Sequence, residues 1–331
     1  MKAYIVGAGA VGTYLGDALR AHGTEVIYAA RDLHDVRLVD PDLAIVATKA
    51  YDTDGAIVTL RKALGEQPQA AILCPQNGVG NEEKLAAAFG ADRVVACALT
   101  VPVDRTKDGR SVATSRGGIA LAPMGSAPQN WLVAMFEQTG IPTRVVSDYR
   151  SLKWSKLSLN IIANATCAIL NVLPERLVAF DDIFALEIRA IREVRAVMQA
   201  MGVRAIDLPR YPVRALQRVA TLPPAVARVI LANRIAGARG HKPPSLLLDL
   251  RAAKGRTEVE VLNGAVAAAA DAHGVKAPIN AVLARVLSDI AHMPQLWAKY
   301  RERPLTLQAE VEAEIRRVYG RRVRLIEKFR S

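Results

Sequence analysis

The segment AYIVGAGAVGTYLGDALRAHG (residues 3–23) decides the fold class of this 331-residue chain. Its first apolar run predicts a β-strand, its closely spaced glycines predict a tight loop, and the remainder predicts a helix that ends near Gly23. Four further short apolar runs follow between residues 25 and 100: EVIYAA, LAIVAT, AAILCPQ and VVACALT. Strands that alternate with helices predict an α/β domain with a doubly wound, Rossmann-type parallel sheet.

The second part of the chain has a different pattern. From Leu152 onward strand signals almost disappear, and apolar residues recur at helical spacing, as in ALEIRAIREVRAVMQAMG (185–202). We therefore predict an all-α C-terminal domain. The predicted boundary lies near Asp148, with the α/β domain over 1–148 and the helical domain over 149–331.

A glycine-rich loop lies between the first predicted strand and the first predicted helix: Gly7-Ala8-Gly9-Ala10-Val11-Gly12. In a GxGxxG motif the first glycine permits a tight turn, the second lets the backbone approach a pyrophosphate, and the third allows close helix–strand packing. N–H groups at the helix N-terminus attract the anion. These six residues predict a dinucleotide site; a flavodoxin-like or FAD-binding turn is the alternative.

Arg31 bears on which dinucleotide binds. In NAD-preferring folds an acidic residue at the end of the second strand binds the ribose 2′-hydroxyl, whereas an arginine there suits the 2′-phosphate of NADP. The run EVIYAA ends at Arg31, and Asp32 follows it. The sequence therefore favours NADP over NAD, with a solvated loop pair as the alternative interpretation.

The composition excludes several classes of protein. The chain has 44 Lys and Arg against 32 Asp and Glu, a net charge of +12, and only 5% aromatic residues. Few aromatic residues leave little for base stacking, so the charge favours anionic small molecules, or an arginine-rich proteome, over nucleic acid. No apolar run reaches the ~18 residues of a membrane span, and the N-terminus does not have the pattern of a targeting segment.

Cysteines and histidines give no metal motif. The three cysteines, Cys74, Cys97 and Cys167, are isolated in the sequence, which fits a reducing cytoplasm. The five histidines show neither HxxxH nor HExxH spacing, so we expect no metal site.

Together with the glycine loop, four segments resemble the ketopantoate reductase (2-dehydropantoate 2-reductase) family: ATKAYDT (47–53), PQNGVG (75–80), WSKLSLNIIANA (154–165) and GRTEVEVLNGAV (255–266). The resemblance spans Gly7 to about Leu283. It implies a Rossmann domain, a helical domain and an active site in the cleft between them. It also implies NADPH-dependent reduction of ketopantoate to pantoate, in the pathway to pantothenate and coenzyme A.

Lys49 and Asn77 each follow the end of a predicted parallel strand, where side chains face a ligand crevice. From the residues alone, a solvated lysine and a plain Asn-Gly turn are the alternatives. The resemblance places Lys49 near the cofactor ribose and the substrate. It places Asn77 in contact with both cofactor and substrate.

Lys156, Asn160 and Asn164 recur at i, i+4 and i+8, which predicts one face of a single helix within an arc of ~80°. Their neighbours are apolar, so these groups need polar partners; a stripe facing solvent is the alternative. A lysine partly desolvated in a cleft has a lowered pKa that suits proton donation. The resemblance makes Lys156 the general acid that protonates the developing alkoxide, and makes both asparagines ligands of the substrate hydroxyl and carboxylate.

Glu258 begins the segment TEVEVLNG, where the N-terminal end of a helix stabilises a carboxylate. This local role is the alternative to the one that the resemblance implies, in which Glu258 binds the substrate hydroxyl and orients Lys156. The resemblance also implies that Ser245 binds substrate.

The chain departs from the family in two places. Only 17 residues (32–48) separate Arg31 from Lys49, where the family places a further helix and strand pair. We therefore expect a shortened sheet and an adenine pocket that is weakened or completed by a partner subunit. The C-terminus is longer: residues 299–331 carry ten Lys and Arg against five Glu, and they predict a terminal helix docked on the body or at a dimer contact.

Three functions remain open at this point. The first is an NADP-dependent reductase of ketopantoate, the second is a reductase of another 2-oxo acid or an imine, and the third is a binding or sensing protein without catalysis. The full set of family residues favours an enzyme. We expect a cytoplasmic protein that binds a small 2-oxo acid, with no nucleic acid or membrane partner, and a homodimer through the helical domain as the oligomer to test.

Overall fold

The computed structural model describes residues 1–30, 38–65, 69–106, 108–126, 130–237 and 242–320. The chain divides into two compact units. Unit 1 consists of Met1–Lys156 and Ile206–Pro212, and unit 2 consists of Leu157–Ala205 and Val213–Ser331.

The described part of unit 1 contains nine strands: β1 (Lys2–Val6), β2 (Glu25–Tyr28), β3 (Leu43–Val46), β4 (Ala71–Cys74), β5 (Val94–Leu99), β6 (Val103–Arg105), β7 (Ser111–Ala113), β8 (Ile119–Pro123) and β9 (Thr143–Val145). Seven of them form one sheet in the order β2-β1-β3-β4-β5-β8-β9. Neighbouring strands are parallel except β5 and β8, which are antiparallel with Leu99 opposite Ile119. The predicted parallel α/β sheet is confirmed.

Helices cover both faces of this sheet: α1 (Ala10–Ala21), α2 (Thr53–Leu64), α3 (Asn81–Phe89) and α4 (Asn130–Gln138). Alternate residues of a strand point to opposite faces. Accordingly Ile5 packs in the cluster that contains residues of α1 and α4, whereas Tyr4 and Val6 pack with residues of α2 and α3. This two-sided burial is why the strands are almost continuously apolar.

The sheet is short at the edge formed by β2. Strand β1 pairs with β2 on one side and with β3 on the other. Within the described residues no strand lies beyond β2. This agrees with the predicted shortening before Lys49. Residues 31–37, which include Arg31, lie outside the described residues.

The described residues after β9 are mainly helical: α5 (Tyr149–Asn160), α6 (Ala165–Leu170), α7 (Pro174–Leu177), α8 (Asp181–Ala200), α9 (Val213–Val219), α10 (Pro224–Gly237), α11 (Ser245–Arg251), α12 (Asn263–Ala272), α13 (Pro278–His292), α14 (Trp297–Tyr300) and α15 (Pro304–Tyr319). Helix α5 begins in unit 1 and continues into unit 2. The described part of unit 2 has no strand, so the predicted all-α domain is confirmed. No helix in the described ranges is long and apolar enough to cross a membrane.

Helix α13 lies at the centre of unit 2, in contact with α6, α8, α12 and α15. Helix α15 buries Leu307, Val311 and Ile315, which recur every four residues and so line one helix face. Of the two predicted positions for the C-terminal segment, docking on the body is confirmed for Pro304–Tyr319. Residues 321–331 lie outside the described residues.

The division between the units falls after Lys156, within α5, rather than near Asp148. The first turns of α5 belong to unit 1 because Lys153 is buried there in an ion pair with Glu82. A helix that crosses a boundary gives no local sign of it in the sequence.

The segment Ile206–Pro212 returns to unit 1 from the helical part of the chain. The Thr100 hydroxyl donates to the Pro209 carbonyl at 3.0 Å, and the Ile206 N–H donates to the Ser155 hydroxyl at 2.9 Å. These hydrogen bonds attach residues 206–212 to unit 1. The predicted division into two continuous domains places these residues in the helical domain.

Candidate functional site

The glycine loop between β1 and α1 requires glycine at two positions. Gly7 has φ +109°, and a Cβ there would lie 2.6 Å from the backbone of Ala47 and Thr48. A Cβ on Gly12 would lie 1.9 Å from the Gly7 carbonyl oxygen. The first turn of α1 therefore packs directly against the loop, as the motif predicts.

Gly9 differs from these two glycines because a Cβ there would meet nothing within 4 Å. Gly9 is the N-cap residue of α1, its φ of −80° is open to any residue, and the first turn of α1 contains no acidic side chain. Open space in front of a helix N-terminus is what an approaching pyrophosphate needs. The loop therefore fits a dinucleotide cofactor, which Gly7 to Gly12 would hold.

Lys49 and Asn77 lie beyond the carboxyl ends of the adjacent parallel strands β3 and β4. Both residues are partly exposed. The Lys49 carbonyl accepts from the Asp52 N–H at 2.9 Å, and the Asn77 carbonyl accepts from the Asn81 side chain at 3.0 Å. Neighbouring strand ends thus bring these two predicted site residues to one edge of the sheet.

A buried glutamine, Gln76, connects the two strand ends. Its Nε2 donates to the Thr48 carbonyl and the Thr48 hydroxyl, each at 3.1 Å, and lies 3.4 Å from the Lys49 carbonyl. The same nitrogen lies 3.0 Å from the Thr53 hydroxyl, whose oxygen lies 3.1 Å from Asn81 Oδ1. This polar cluster satisfies backbone groups that the short strands leave without ladder partners.

Lys153 joins α5 to this cluster. Its ammonium lies 2.8 Å from the Glu82 carboxylate and donates to the Gln76 carbonyl at 2.5 Å. Burial lowers the pKa of Lys153, but the charge of Glu82 opposes this strongly enough that the pKa ends above its usual value. Lys153 is therefore protonated near neutral pH.

Two cysteines lie close to this ion pair. Burial raises the pKa of the Cys97 thiol to about 12 and raises that of Cys74 well above its usual range. Both are protonated thiols at neutral pH and act as small apolar groups.

The exposed strip of α5 carries two of the predicted site residues. Between Ser151 and Asn160 only Lys156, Leu159 and Asn160 are partly exposed, and the other residues are buried. The spacing i, i+3, i+4 places the three on one face of the helix. Lys156 and Asn160 therefore share a face, as predicted.

The predicted continuation of that face to Asn164 is wrong. Helix α5 ends at Asn160, α6 begins at Ala165, and Ala163 between them has φ +49°. Glu187 stabilises this break, since its buried carboxylate accepts from the Ala163 N–H at 2.7 Å. Burial raises the pKa of Glu187 above its usual value. The i+8 spacing fails because α5 ends at Asn160, and a residue of α8 supplies a hydrogen bond that stabilises the break.

Asn164 is instead buried at the start of α6. Its Nδ2 donates to the Asn160 carbonyl at 2.9 Å and lies 3.4 Å from the Ser245 hydroxyl. Its Oδ1 accepts from the Leu246 N–H at 3.2 Å. The structure therefore brings Asn160, Asn164 and Ser245 together within unit 2.

Glu258 is buried as the first residue of the 3-10 turn Glu258–Val261. The Thr257 hydroxyl accepts from the Val259 N–H at 3.3 Å and caps this turn. The predicted helical start at Thr257-Glu258 is therefore present as a short 3-10 turn. Among the described residues no group of His, Cys, Asp and Glu could hold a metal ion.

The family model "Ketopantoate reductase PanE/ApbA" matches residues 34–126, and "Ketopantoate reductase PanE/ApbA C terminal" matches residues 148–291. A 2-dehydropantoate 2-reductase of Caulobacter vibrioides is 32% identical over 77% of this chain and 79% of its own length. The chain belongs to the ketopantoate reductase family.

Solved structures agree with this assignment to the ketopantoate reductase family. A PanE/ApbA family ketopantoate reductase from Ralstonia eutropha JMP134 superimposes with a TM-score of 0.73 at 28% identity, covering 89% of this chain and all of its own. D-mandelate dehydrogenase, solved with NADH, matches with a TM-score of 0.72 at 18% identity over 88% of this chain and 99% of its own, which shows the fold alone. As a family member, the chain is an oxidoreductase.

Sequence reasoning missed the buried polar residues that lie next to the predicted site residues: Gln76, Thr53, Asn81, Glu82, Lys153 and Glu187. Gln76 lies within a segment that carries the resemblance and Lys153 directly precedes another, yet only their neighbours Asn77 and Lys156 were singled out. Lys153 precedes Lys156 by three residues, so two lysines on one side of an apolar helix were the available signal.

Proposed function

We propose that this chain reduces ketopantoate to pantoate with NADPH, a step that supplies pantothenate and coenzyme A biosynthesis. The observation that carries the proposal is the placement of Lys156. It is a partly exposed lysine that follows the buried stretch 151–155 of α5. It lies one turn after Lys153, which donates to the Gln76 carbonyl beside Asn77. The names of the related 2-dehydropantoate 2-reductases support the choice of substrate.

The glycine loop and Lys49 bind the cofactor in this proposal. Bound NADPH supplies a hydride to the keto carbon of the substrate. The loop N–H groups at the start of α1 hold the pyrophosphate, and Gly9 leaves the space it needs. Arg31 binds the 2′-phosphate of NADP, which is the basis for preferring NADP to NAD.

Lys156 donates the proton that completes the reduction. As the hydride arrives, the carbonyl oxygen develops negative charge, and a positioned ammonium stabilises that charge and then transfers a proton to it. The hydride and the proton together convert the ketone to an alcohol and leave Lys156 neutral. Asn77 orients the substrate and the cofactor from its strand end.

The remaining predicted residues bind the substrate in unit 2. Asn160 and Ser245 contact its hydroxyl and carboxylate oxygens, and Glu258 binds the hydroxyl and orients Lys156. Asn164 supports Ser245, because its side-chain amide joins the Asn160 carbonyl, the Ser245 hydroxyl and the Leu246 N–H. We expect its effect on the reaction to be transmitted through those neighbours.

Initial rates with a panel of 2-oxo acids test this function. The panel compares ketopantoate with linear, branched and aromatic 2-oxo acids, each with NADPH and with NADH. We expect the highest kcat/KM with ketopantoate and NADPH. A higher kcat/KM with another 2-oxo acid would reassign the substrate, and NADPH binding without turnover of any acid would contradict the enzyme.

A further inference from the structure

Lys153 and Glu82 form a buried ion pair with no role in the reaction described so far. Their side chains are 3% and 1% exposed, and the charged atoms lie 2.8 Å apart. Burying two charges costs solvation free energy that their attraction does not always repay, and apolar residues of similar size often stabilise a protein as well or better. A pair retained at such a position therefore calls for a further explanation.

The pair links two backbone segments that carry proposed site residues. Lys153 donates to the Gln76 carbonyl, and Gln76 directly precedes Asn77. On α5, Lys153 lies three residues before Lys156, so the two are adjacent along one side of the helix. The Lys153 ammonium thus holds the Gln76 backbone, which directly precedes Asn77, next to the turn of α5 that precedes Lys156.

The same cluster extends to Lys49. The side-chain Nε2 of Gln76 donates to the Thr48 carbonyl and lies 3.4 Å from the Lys49 carbonyl. The backbone carbonyl of Gln76 accepts from Lys153. The backbone segments of three proposed site residues therefore converge on one glutamine. The Glu82 carboxylate neutralises the ammonium that holds this glutamine in place.

We propose that Lys153 and Glu82 are positioning residues for the reduction. They fix the position of the backbone at Gln76 and Asn77, which follow β4, relative to the turn of α5 that carries Lys156. They act through the Gln76 carbonyl and do not touch the substrate. This inference rests on the proposed function. The thioether and methyl groups of methionine cannot donate to the Gln76 carbonyl, so Lys153→Met preserves packing and removes the connection.

A double substitution separates positioning from stability. Lys153→Met alone leaves the Glu82 charge buried and unpaired, and we expect it to lower Tm by roughly 10 °C. Lys153→Met with Glu82→Leu removes both charges, so we expect Tm to return to within about 5 °C of the wild type. A purely structural pair would then recover its activity, whereas a positioning pair would not.

The readouts are Tm, kcat and the KM values for NADPH and ketopantoate. For the double variant we expect kcat at least tenfold below the wild type and a smaller change in the KM for NADPH, because the glycine loop that holds the pyrophosphate is unchanged while the Lys49 and Asn77 segments lose their support. A matched control removes the exposed pair between α3 and α2, by Lys84→Met with Asp54→Asn. We expect this control to keep the wild-type kcat and Tm.

A second variant covers the case in which the apolar pair does not fold. Lys153→Arg with Glu82→Asp keeps both charges and shifts the cation relative to the Gln76 carbonyl, so we expect a folded protein with an intermediate kcat. Wild-type kcat in the double apolar variant, or in the Arg/Asp variant when the apolar one does not fold, would overturn the positioning role. If the wild type itself fails to reduce any 2-oxo acid, the proposed function fails, and the positioning role fails with it.

Discussion

Gly9→Ala separates cofactor binding from folding in this protein. The added methyl would meet no atom within 4 Å, and the φ of −80° suits alanine. Alanine is a poorer N-cap residue than glycine by up to about 1 kcal/mol, and it restricts the unfolded chain by a similar amount in the opposite sense. We therefore expect the free energy of unfolding to change by less than about 1 kcal/mol.

The same methyl should weaken the binding of NADPH. A phosphate oxygen that accepts from a backbone N–H lies about 2.9 Å from the nitrogen, while a methyl carbon keeps its neighbours at roughly 3.5–4.0 Å. The pyrophosphate would have to withdraw from the loop and lose at least one charge-assisted hydrogen bond. Such a bond contributes about 1.5–3 kcal/mol, so we expect the Kd to rise roughly tenfold to a hundredfold.

Two other glycine substitutions complete the comparison. Gly12→Ala would place its Cβ 1.9 Å from the Gly7 carbonyl oxygen, so it should impair both folding and binding. Gly55→Ala lies exposed in the first turn of α2 with open space around it, so it should leave binding unchanged and stabilise α2 by up to about 1 kcal/mol.

NADPH fluorescence titration gives the Kd, and urea unfolding gives the stability of each variant. If Gly9→Ala binds NADPH as the wild type does, the pyrophosphate does not pass over Gly9 and the cofactor site is misplaced. If Gly9→Ala unfolds as readily as Gly12→Ala, the space in front of the loop is not open.

Three further predictions concern unit 2. Burial raises the pKa of Glu193 to about 7, even though its carboxylate accepts from the Ile279 and Asn280 N–H groups. Because the folded pKa exceeds the unfolded one, the free energy of unfolding should fall by about 3 kcal/mol as pH rises from 4.5 through 7. Urea unfolding at pH 5 and pH 8 measures this fall, which should be smaller in Glu193→Gln. Ala163→Gly should raise Tm slightly, because glycine adopts φ +49° without strain and keeps the N–H that donates to Glu187. A lower Tm would contradict the strain expected for alanine at this φ. Leu307 is buried on the docked face of α15, so Leu307→Ala should lower the free energy of unfolding by about 2–5 kcal/mol. Leu305 is exposed, so Leu305→Ala should change it little. Equal effects of the two substitutions would refute the docking.

Much of unit 1 could be predicted from the sequence because its signals are local. The glycine loop, the apolar strands and the short connection before Lys49 are each visible within a few residues. The pairing of β8 with β5 and the return of Ile206–Pro212 to unit 1 could not be predicted in this way. Both depend on partners far along the chain, such as Thr100 for Pro209.

The candidate site shows the same limit. Lys156 and Asn160 share a helix face because four-residue spacing within a continuous helix fixes their relation. Asn164 does not continue that face, because Glu187, 24 residues after Ala163, supplies the hydrogen bond that stabilises the break. A spacing rule holds only while the helix continues, and a buried carboxylate from another helix leaves no mark near the break.

The most direct test of the central claim is the kcat for NADPH oxidation by ketopantoate in Lys156→Met. Methionine keeps an unbranched apolar side chain of nearly the same length and removes the proton donor. If Lys156 is the general acid, kcat should fall by about 10²- to 10⁴-fold while NADPH still binds with a Kd near that of the wild type. A variant that keeps kcat within about twofold of the wild type would contradict the claim that Lys156 protonates the product oxygen.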